Sequence, residues 1–435
     1  MNKGRILISG AGVAGPALAY WLTRWGYETV VVERAPSLRE GGQAVDFRGP
    51  VHRAVLERMG IWDAIQERRT TPGALLLVDR DDGVRATLPE SMLSGDVEIL
   101  RGDLCNILYE RTRAATDYRF GDRIVGIDDR GDSVAVRFAH APAQSFDLVV
   151  GADGLHSGVR ALAMADEADV VRHHGYRIAS FATPNLLGRV GGVSSFCEPG
   201  RGACLTATSA TKGRALLVST GGPMTGDERD PREQKRAIAE RFAGMGWNVP
   251  QVLEYLRDAP DLYVDAIATA HVGRYSKGRV ALLGDAAWGG TLGGQGTSLA
   301  IVGAYVFAHE LARSPLGADP SPALVRYEER MRPYASGCQK GAMRTGQFFA
   351  PTTRFGVWMR NVVYGALTSR VLRGTFERIV RSAASDFELP DYDALPPVLP
   401  PSLSTSSRST SLTGIAASRG RSSTPASDRA IMRST

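Results

Sequence analysis

Cysteine is scarce in this sequence and carries no pattern. Four cysteines (Cys105, Cys197, Cys204, Cys338) are scattered through 435 residues, none in a zinc-like spacing. That excludes a disulfide-stapled secreted scaffold and fits a reduced, cytoplasmic protein. No long apolar run is present either. The N-terminus has Lys3 and Arg5 ahead of an apolar stretch, but Gly10, Gly12 and Gly15 interrupt it and Arg24 ends it. It is therefore neither a signal peptide nor a transmembrane segment. The seven histidines form no metal-spaced pair, so no metal site is expected, and the Gly-x-Ser-x-Gly elbow is absent. His173 and His174 read as surface or strand residues. Basic charge is not concentrated in the folded part. The net charge is +6, but residues 402–435 hold five arginines against one acid, leaving about +2 elsewhere. No nucleic-acid partner is expected.

What is present points to a large α/β protein. A chain of this length, 43% hydrophobic, can bury two sizeable cores. Arg5 to Ser9 is a β-branched run, Pro16 to Trp25 is helix-like, Gly26 suits the helix C-cap, and Thr29 to Val32 is a second β-branched run. Pro50 to Met59 reads as a helix, Ala74 to Leu88 as strands around an Asp-Asp-Gly turn, and Leu104, Ile107 and Leu108 as a helix capped by Asp103. Val125 to Ile127 and Val134 to Phe138 flank a hairpin turn that leads to the strand Asp147 to Val150. Gly175 to Thr220 changes character to strand-like runs with Gly-rich turns, which predicts a separate antiparallel sheet. Arg279 to Leu283 returns to a buried parallel-type strand. Leu299, Val302 and Val306 follow on one helix face, and the arginine-rich stretch from Pro333 to Ala384 is helical in pattern. Beyond Leu389 the composition turns to Pro, then Ser, Thr and Arg, and predicts a disordered tail.

Three glycine-bearing turns carry chemistry. The first, Gly10-Ala-Gly12-Val-Ala14-Gly15, lies between a strand and a helix, with Glu33 ending the next strand eighteen residues after Gly15. Gly10 permits the tight turn, Gly12 lets a pyrophosphate approach the backbone, and Gly15 allows close helix packing; Glu33 would accept hydrogen bonds from an adenosine ribose. This turn alone leaves open NAD or FAD. The second is Asp147-Leu-Val-Val-Gly151-Ala-Asp153-Gly154-Leu-His-Ser157-Gly-Val-Arg160. The third is Val280-Ala-Leu-Leu-Gly284-Asp285-Ala-Ala287, followed by Gly293-Gly-Gln-Gly296-Thr-Ser298. Taken alone, it could be an ordinary strand–loop–helix connection with Asp285 as an N-cap. The helix starting near Gly296 would point free N–H groups and its positive dipole end at an anionic ring.

In this order the three turns resemble the aromatic-hydroxylase family of single-component flavin monooxygenases, over roughly residues 5 to 340. The resemblance implies a Rossmann-type FAD-binding domain with an inserted antiparallel-sheet substrate domain and C-terminal helices. The parts would be 1–73, 99–168 and 271–332 for FAD, 74–98 and 169–270 for the substrate sheet, 333–389 for the helices and 390–435 for the tail. It assigns Asp285 to the ribityl chain of FAD and Asp153 to the flavin and nicotinamide region. Gly10, Gly12, Ala14, Gly15, Glu33, Arg34, Asp46, Arg101 and Gly296 complete the expected cofactor contacts. The chain departs from the family after Ala287, where Trp288-Gly-Gly-Thr-Leu292 stands in place of a proline-bearing loop that lies beside the oxygen-reacting flavin carbon.

The implied activity is insertion of one oxygen atom from dioxygen into an aromatic or polycyclic organic molecule, with NAD(P)H as co-substrate. No acid or base is singled out as catalytic. No second glycine fingerprint marks a separate NAD(P)H domain, and no Trp-x-Trp pair marks a halogenase. Arg39 reads as a solvated arginine. An FAD-dependent reductase or dehydrogenase on the same fold is the nearest alternative; a flavin-binding interaction protein with a recruiting basic tail is the second.

Overall fold

The computed structural model describes residues 3–38, 42–71, 73–90, 95–222, 230–290, 296–315, 317–339, 342–369, 387–390 and 392. Two β-branched runs form the strands Arg5–Ser9 and Glu28–Glu33, joined by the helix Ala14–Arg24. They pair in parallel, Arg5 opposite Glu28 and Ser9 opposite Val32. Ile6 to Ile8 and Val30 to Val32 are buried, as expected of strands covered on both faces. Gly26, with φ of 85°, takes the left-handed step after the helix that a β-carbon would strain.

These strands belong to a six-stranded sheet ordered 276–277, 280–282, 148–151, 5–9, 28–33, 116–120. All neighbours pair in parallel except the edge hairpin Ser276–Lys277 with Val280–Leu282. Three adjacent strands thus end side by side at Ser9, Gly151 and Leu282, and each runs directly into one of the glycine turns. Parallel neighbours lie roughly 4.8 Å apart. Turns more than a hundred residues apart in sequence therefore meet at one carboxyl edge, the usual ligand side of an open α/β sheet.

A seven-stranded sheet is ordered 263–270, 171–184, 212–220, 201–207, 193–198, 75–78, 84–88. It is antiparallel, as the Gly175–Thr220 pattern predicts, except for a short parallel pairing of Val193–Ser195 with Leu75–Leu77. One face places Phe181, Ala203, Leu205, Ala215 and Leu217 under the helices Pro231–Phe242 and Val249–Asp258. The other face carries Tyr176, Ile178, Val218, Tyr263 and Ile267, packed with Phe349 and Ala350. Leu75 and Leu77 on that face meet Phe348 and Tyr364.

Several sequence expectations shift. Asp103 is not a helix cap: the helix runs Arg101–Thr112 with Leu100 at the cap, so Asp103 falls in its first turn. Val97 and Glu98 pair with Phe47 and Asp46 in a two-stranded ribbon, not with the large sheet. The helix Gly296–Ala312 is buried all round from Ser298 to Leu311, not on one stripe, because it lies between the helices Ala14–Arg24 and Ser321–Gln339. The arginine-rich C-terminal stretch contributes the helices Ala342–Phe349 and Arg354–Leu367 against the large sheet. Tyr392, inside the stretch read as tail, is buried and donates its hydroxyl to Glu310 at 2.6 Å. Among the described residues no helix is long and apolar enough to cross a membrane. All four cysteines are free.

Candidate active site

The first turn is shaped by what cannot fit beside it. Gly10 has φ of 110°, and a β-carbon there would collide with the Ala152 carbonyl of the neighbouring second turn. A β-carbon on Gly15 would collide with the Gly10 carbonyl, so the helix Ala14–Arg24 packs directly on the strand end. Gly12 differs: its nearest neighbour would be Arg101 Nη2 at 3.7 Å, which leaves its face open. The helix behind has Val13 at its N-cap, no side-chain cap and no acid in its first turn. Its N–H groups and positive dipole end are therefore left for an anion. Glu33 holds the loop in shape, accepting from Ala11 N–H at 2.9 Å with one carboxylate oxygen and from Ala35 N–H at 2.9 Å with the other.

The second turn is tied inward. Asp153 accepts from the hydroxyls of Ser157 at 2.5 Å and Ser9 at 3.3 Å and from Val159 N–H at 3.1 Å. Its carboxyl thus welds the first two turns and caps the next short helix; burial raises its pKa above the ordinary value. Arg160, fully buried, donates to Ala286 O at 2.8 Å and to Leu155 O at 2.6 Å, joining the second turn to the third. Sequence reasoning quoted Arg160 within its motif without giving it a role.

In the third turn Gly284 stands at φ of 65°, and a β-carbon there would come within 3.0 Å of that of Ala14. Asp285 follows on a cleft floor that is ringed by protein yet open to solvent. Burial raises its pKa, Arg101 opposes the shift and Asp265 adds to it. A β-carbon on Gly296 would lie 3.2 Å from Asp285 Oδ1, so Asp285 faces the first turn of the helix Gly296–Ala312. The loop Thr291–Leu292 and residues 293–295 lie outside the described residues, as does Arg39.

Gly12, Arg101, Asp285 and Gly296 therefore face one another where the turns meet, while Gly10, Ala14, Gly15 and Glu33 shape the first turn from within. Arg101, exposed, stands over Gly12 and within electrostatic range of Asp285. Asp46 sits on the ribbon next to Arg101, its carboxylate bound by Arg48 Nε at 2.5 Å, and Arg34 is exposed past the end of its strand. Asp153 stands behind the cleft, its oxygens occupied by protein donors. His173 and His174 are strand residues, His174 Nε2 lying 3.0 Å from Thr269 Oγ1.

Sequence reasoning missed a polar group on the large sheet. Tyr263 and Asp265 alternate on one strand, and His156 reaches Asp265 from the second turn. The only sequence signal was a Tyr-x-Asp alternation beside apolar strand residues.

An open glycine cradle, an uncapped helix N-terminus, an acid at the second strand end and an acid ringed by protein at the third turn suit a dinucleotide with an anionic ring. The model of the family described as "FAD binding domain" matches residues 3–342. An uncharacterized protein of Mycobacterium tuberculosis is 43% identical over 70% of this chain and 84% of its own length. A flavin-dependent monooxygenase of Legionella longbeachae is 32% identical over 90% of this chain and 98% of its length. The crystal structure of tetracycline destructase Tet(51) is similar with a TM-score of 0.76 and 29% identity, covering 90% of this chain and 100% of that one.

Proposed function

This chain belongs to the FAD binding domain family of flavin-dependent monooxygenases, and from that premise we propose which residues hold FAD, which co-substrate reduces it and what kind of molecule is oxygenated. The enzyme is an FAD-dependent monooxygenase that inserts one oxygen atom into an organic substrate. The observation that carries the finer reading is the convergence of three glycine turns at one carboxyl edge.

The open backbone of Gly12, with Ala14, Gly15 and the helix N-terminus, holds the pyrophosphate, and Glu33 takes the adenosine ribose with its remaining lone pairs. Asp285 accepts from the ribityl hydroxyls, and Arg101 balances its charge from across the cleft. Gly296 presents main-chain N–H groups to the ring's anionic edge. Arg34 and Asp46 serve the rim, and Asp153 orients the second turn from behind. When bound, FAD supplies the two-electron chemistry, taking a hydride from NAD(P)H and activating dioxygen for transfer of one atom. The chain's own work is to orient the substrate and exclude water. A flavin lobe of 1–73, 99–168 and 271–332 and a substrate lobe built on the large sheet divide these tasks.

The substrate lies against the sheet face that bears Tyr263, Leu216 and Arg214. These half-buried residues mix aromatic, aliphatic and hydrogen-bonding surface, which suits an uncharged multi-ring compound. The likeness to tetracycline destructase Tet(51) supports the same class. Free cysteines support a reducing, cytoplasmic setting. Purified protein is expected to show a flavin absorption spectrum and to oxidise NAD(P)H faster with such a compound. Turnover under labelled dioxygen then places one labelled atom in the product; unlabelled product with turnover intact would make it a reductase.

A further inference from the structure

Four side chains form an unbroken run of hydrogen bonds from the surface to the cleft. His156 Nδ1 donates to Glu167 Oε1 at 2.8 Å, and His156 Nε2 donates to Asp265 Oδ1 at 3.3 Å. Tyr263 Oη donates to Asp265 Oδ2 at 2.7 Å. The outer end is wet, with the His156 and Glu167 side chains 45% and 43% exposed, whereas the Asp265 side chain is only 12% exposed. Tyr263 shares the sheet face turned away from the helices 231–258, and its hydroxyl lies within electrostatic range of Arg101 and Asp285. The run thus begins in solvent and ends where the cofactor turns face the large sheet.

The surrounding charges load it with a proton. The hydrogen bond to Asp265 is the strongest influence on His156; burial opposes it, Glu167 adds to it, and the pKa stands at about 9. Arg160 lies near Glu167 on the outer side, and Asp285 near Asp265 on the inner side. Burial alone would raise the Asp265 carboxyl, but the His156 and Tyr263 hydrogen bonds hold it below the usual range. At neutral pH the run therefore holds an imidazolium beside a carboxylate beside a neutral phenol.

The reaction needs one proton. NAD(P)H, dioxygen and RH give NAD(P)+, ROH and water only if one proton is taken up, and once cofactor and substrate fill the cleft and displace its water, that proton needs a path through the protein. Resting on the monooxygenase reading, we propose that His156, Asp265 and Tyr263 deliver this proton from solvent to the cleft. The His156 Nε2–H bond breaks as an O–H bond forms on Asp265 Oδ1. The carboxyl turns about its Cβ–Cγ bond and passes the proton to Tyr263 Oη, while the phenol gives its own to the reduced oxygen in the cleft, which leaves as water in the full cycle and as hydrogen peroxide in the uncoupled one. His156 regains a proton from solvent beside Glu167, and no group in the run changes oxidation state. Tyr263 is the group that touches the reacting oxygen; Asp265 and His156 are positioning residues that act through it.

The test uses the FAD-loaded protein with NADPH and dioxygen alone, the uncoupled cycle that forms hydrogen peroxide and consumes the same single proton. Tyr263→Phe is expected to lower kcat on the order of 10²-fold, with FAD uptake and the KM for NADPH unchanged. His156→Gln, a change at a half-exposed position, is expected to do the same and to be rescued by added imidazole. An NMR titration of the His156 ring, independent of turnover, should fall from about 9 towards the ordinary histidine value in Asp265→Asn. Wild-type kcat in both Tyr263→Phe and His156→Gln overturns the relay and leaves the monooxygenase reading standing. FAD-loaded wild type that leaves NADPH and NADH untouched overturns the reading beneath it.

Discussion

Replacing Arg160 with methionine separates the assembly of the cofactor turns from contact with the cofactor. The guanidinium is fully buried and bonds Ala286 O at 2.8 Å and Leu155 O at 2.6 Å, and its Nε has no partner. Each charge-assisted bond is worth roughly 1.5–3 kcal/mol, and truncation strands two carbonyls away from water. Against that, methionine fills much of the volume and removes a buried charge whose desolvation is costly. The net loss of apoprotein stability is about 2–4 kcal/mol, read from urea unfolding of the FAD-free protein. Because Arg160 sets the spacing of the second and third turns, affinity for FAD, read by fluorescence titration, should also fall, on the order of tenfold or more. Arg160→Lys keeps the charge but cannot fork to both carbonyls, so it should rescue only part of either loss. An apoprotein destabilised by less than about 1 kcal/mol, with FAD affinity unchanged, would show that the second and third turns are held by something else.

Gly15→Ala places a β-carbon into the Gly10 carbonyl, and since the atom it meets is backbone and cannot swing aside, the helix must retreat; flavin content after purification should drop steeply while the far-UV spectrum persists. Asp285→Asn should separate stability from binding. Burial raises the Asp285 pKa, so removing the charge leaves the apoprotein as stable or more so, whereas FAD affinity should fall about 10- to 100-fold with the loss of a charged acceptor. A loss of stability of matching size would mean that Asp285 is only structural. The His156 contribution to stability depends on pH with a definite sign. Its folded pKa of about 9 exceeds the ordinary 6.5, so the stabilisation is full below 6.5 and disappears as pH rises through about 9. The gap in melting temperature between wild type and His156→Gln should therefore be widest near pH 6 and close near pH 10. A gap that widens with pH would contradict the assignment.

The three turns were legible in the sequence because their chemistry is local. Only glycine tolerates φ of 110° at position 10 or the approach of one backbone to another at position 15, and an acid at position 33 follows from strand and helix lengths. The first βαβ unit, the hairpin near residue 130 and the change to antiparallel strands after residue 175 were legible for the same reason, since periodicity is set by near neighbours. What lay beyond the sequence was convergence. Asp153 and Asp285 look alike as strand-end acids. Strand order turns the first inward, onto Ser9 and Ser157, and leaves the second on an open floor opposite Arg101. Arg160 reads as one more basic residue until Ala286, 126 positions away, is found under its guanidinium. His156 and Asp265 are 109 positions apart, and neither has a local pattern that requires the other. Conformational demands are written residue by residue, so the sequence alone determined the turns; which charges share a cleft depends on strand order and sheet packing, so only the tertiary structure decided how those turns meet and which side chains stand between them and water.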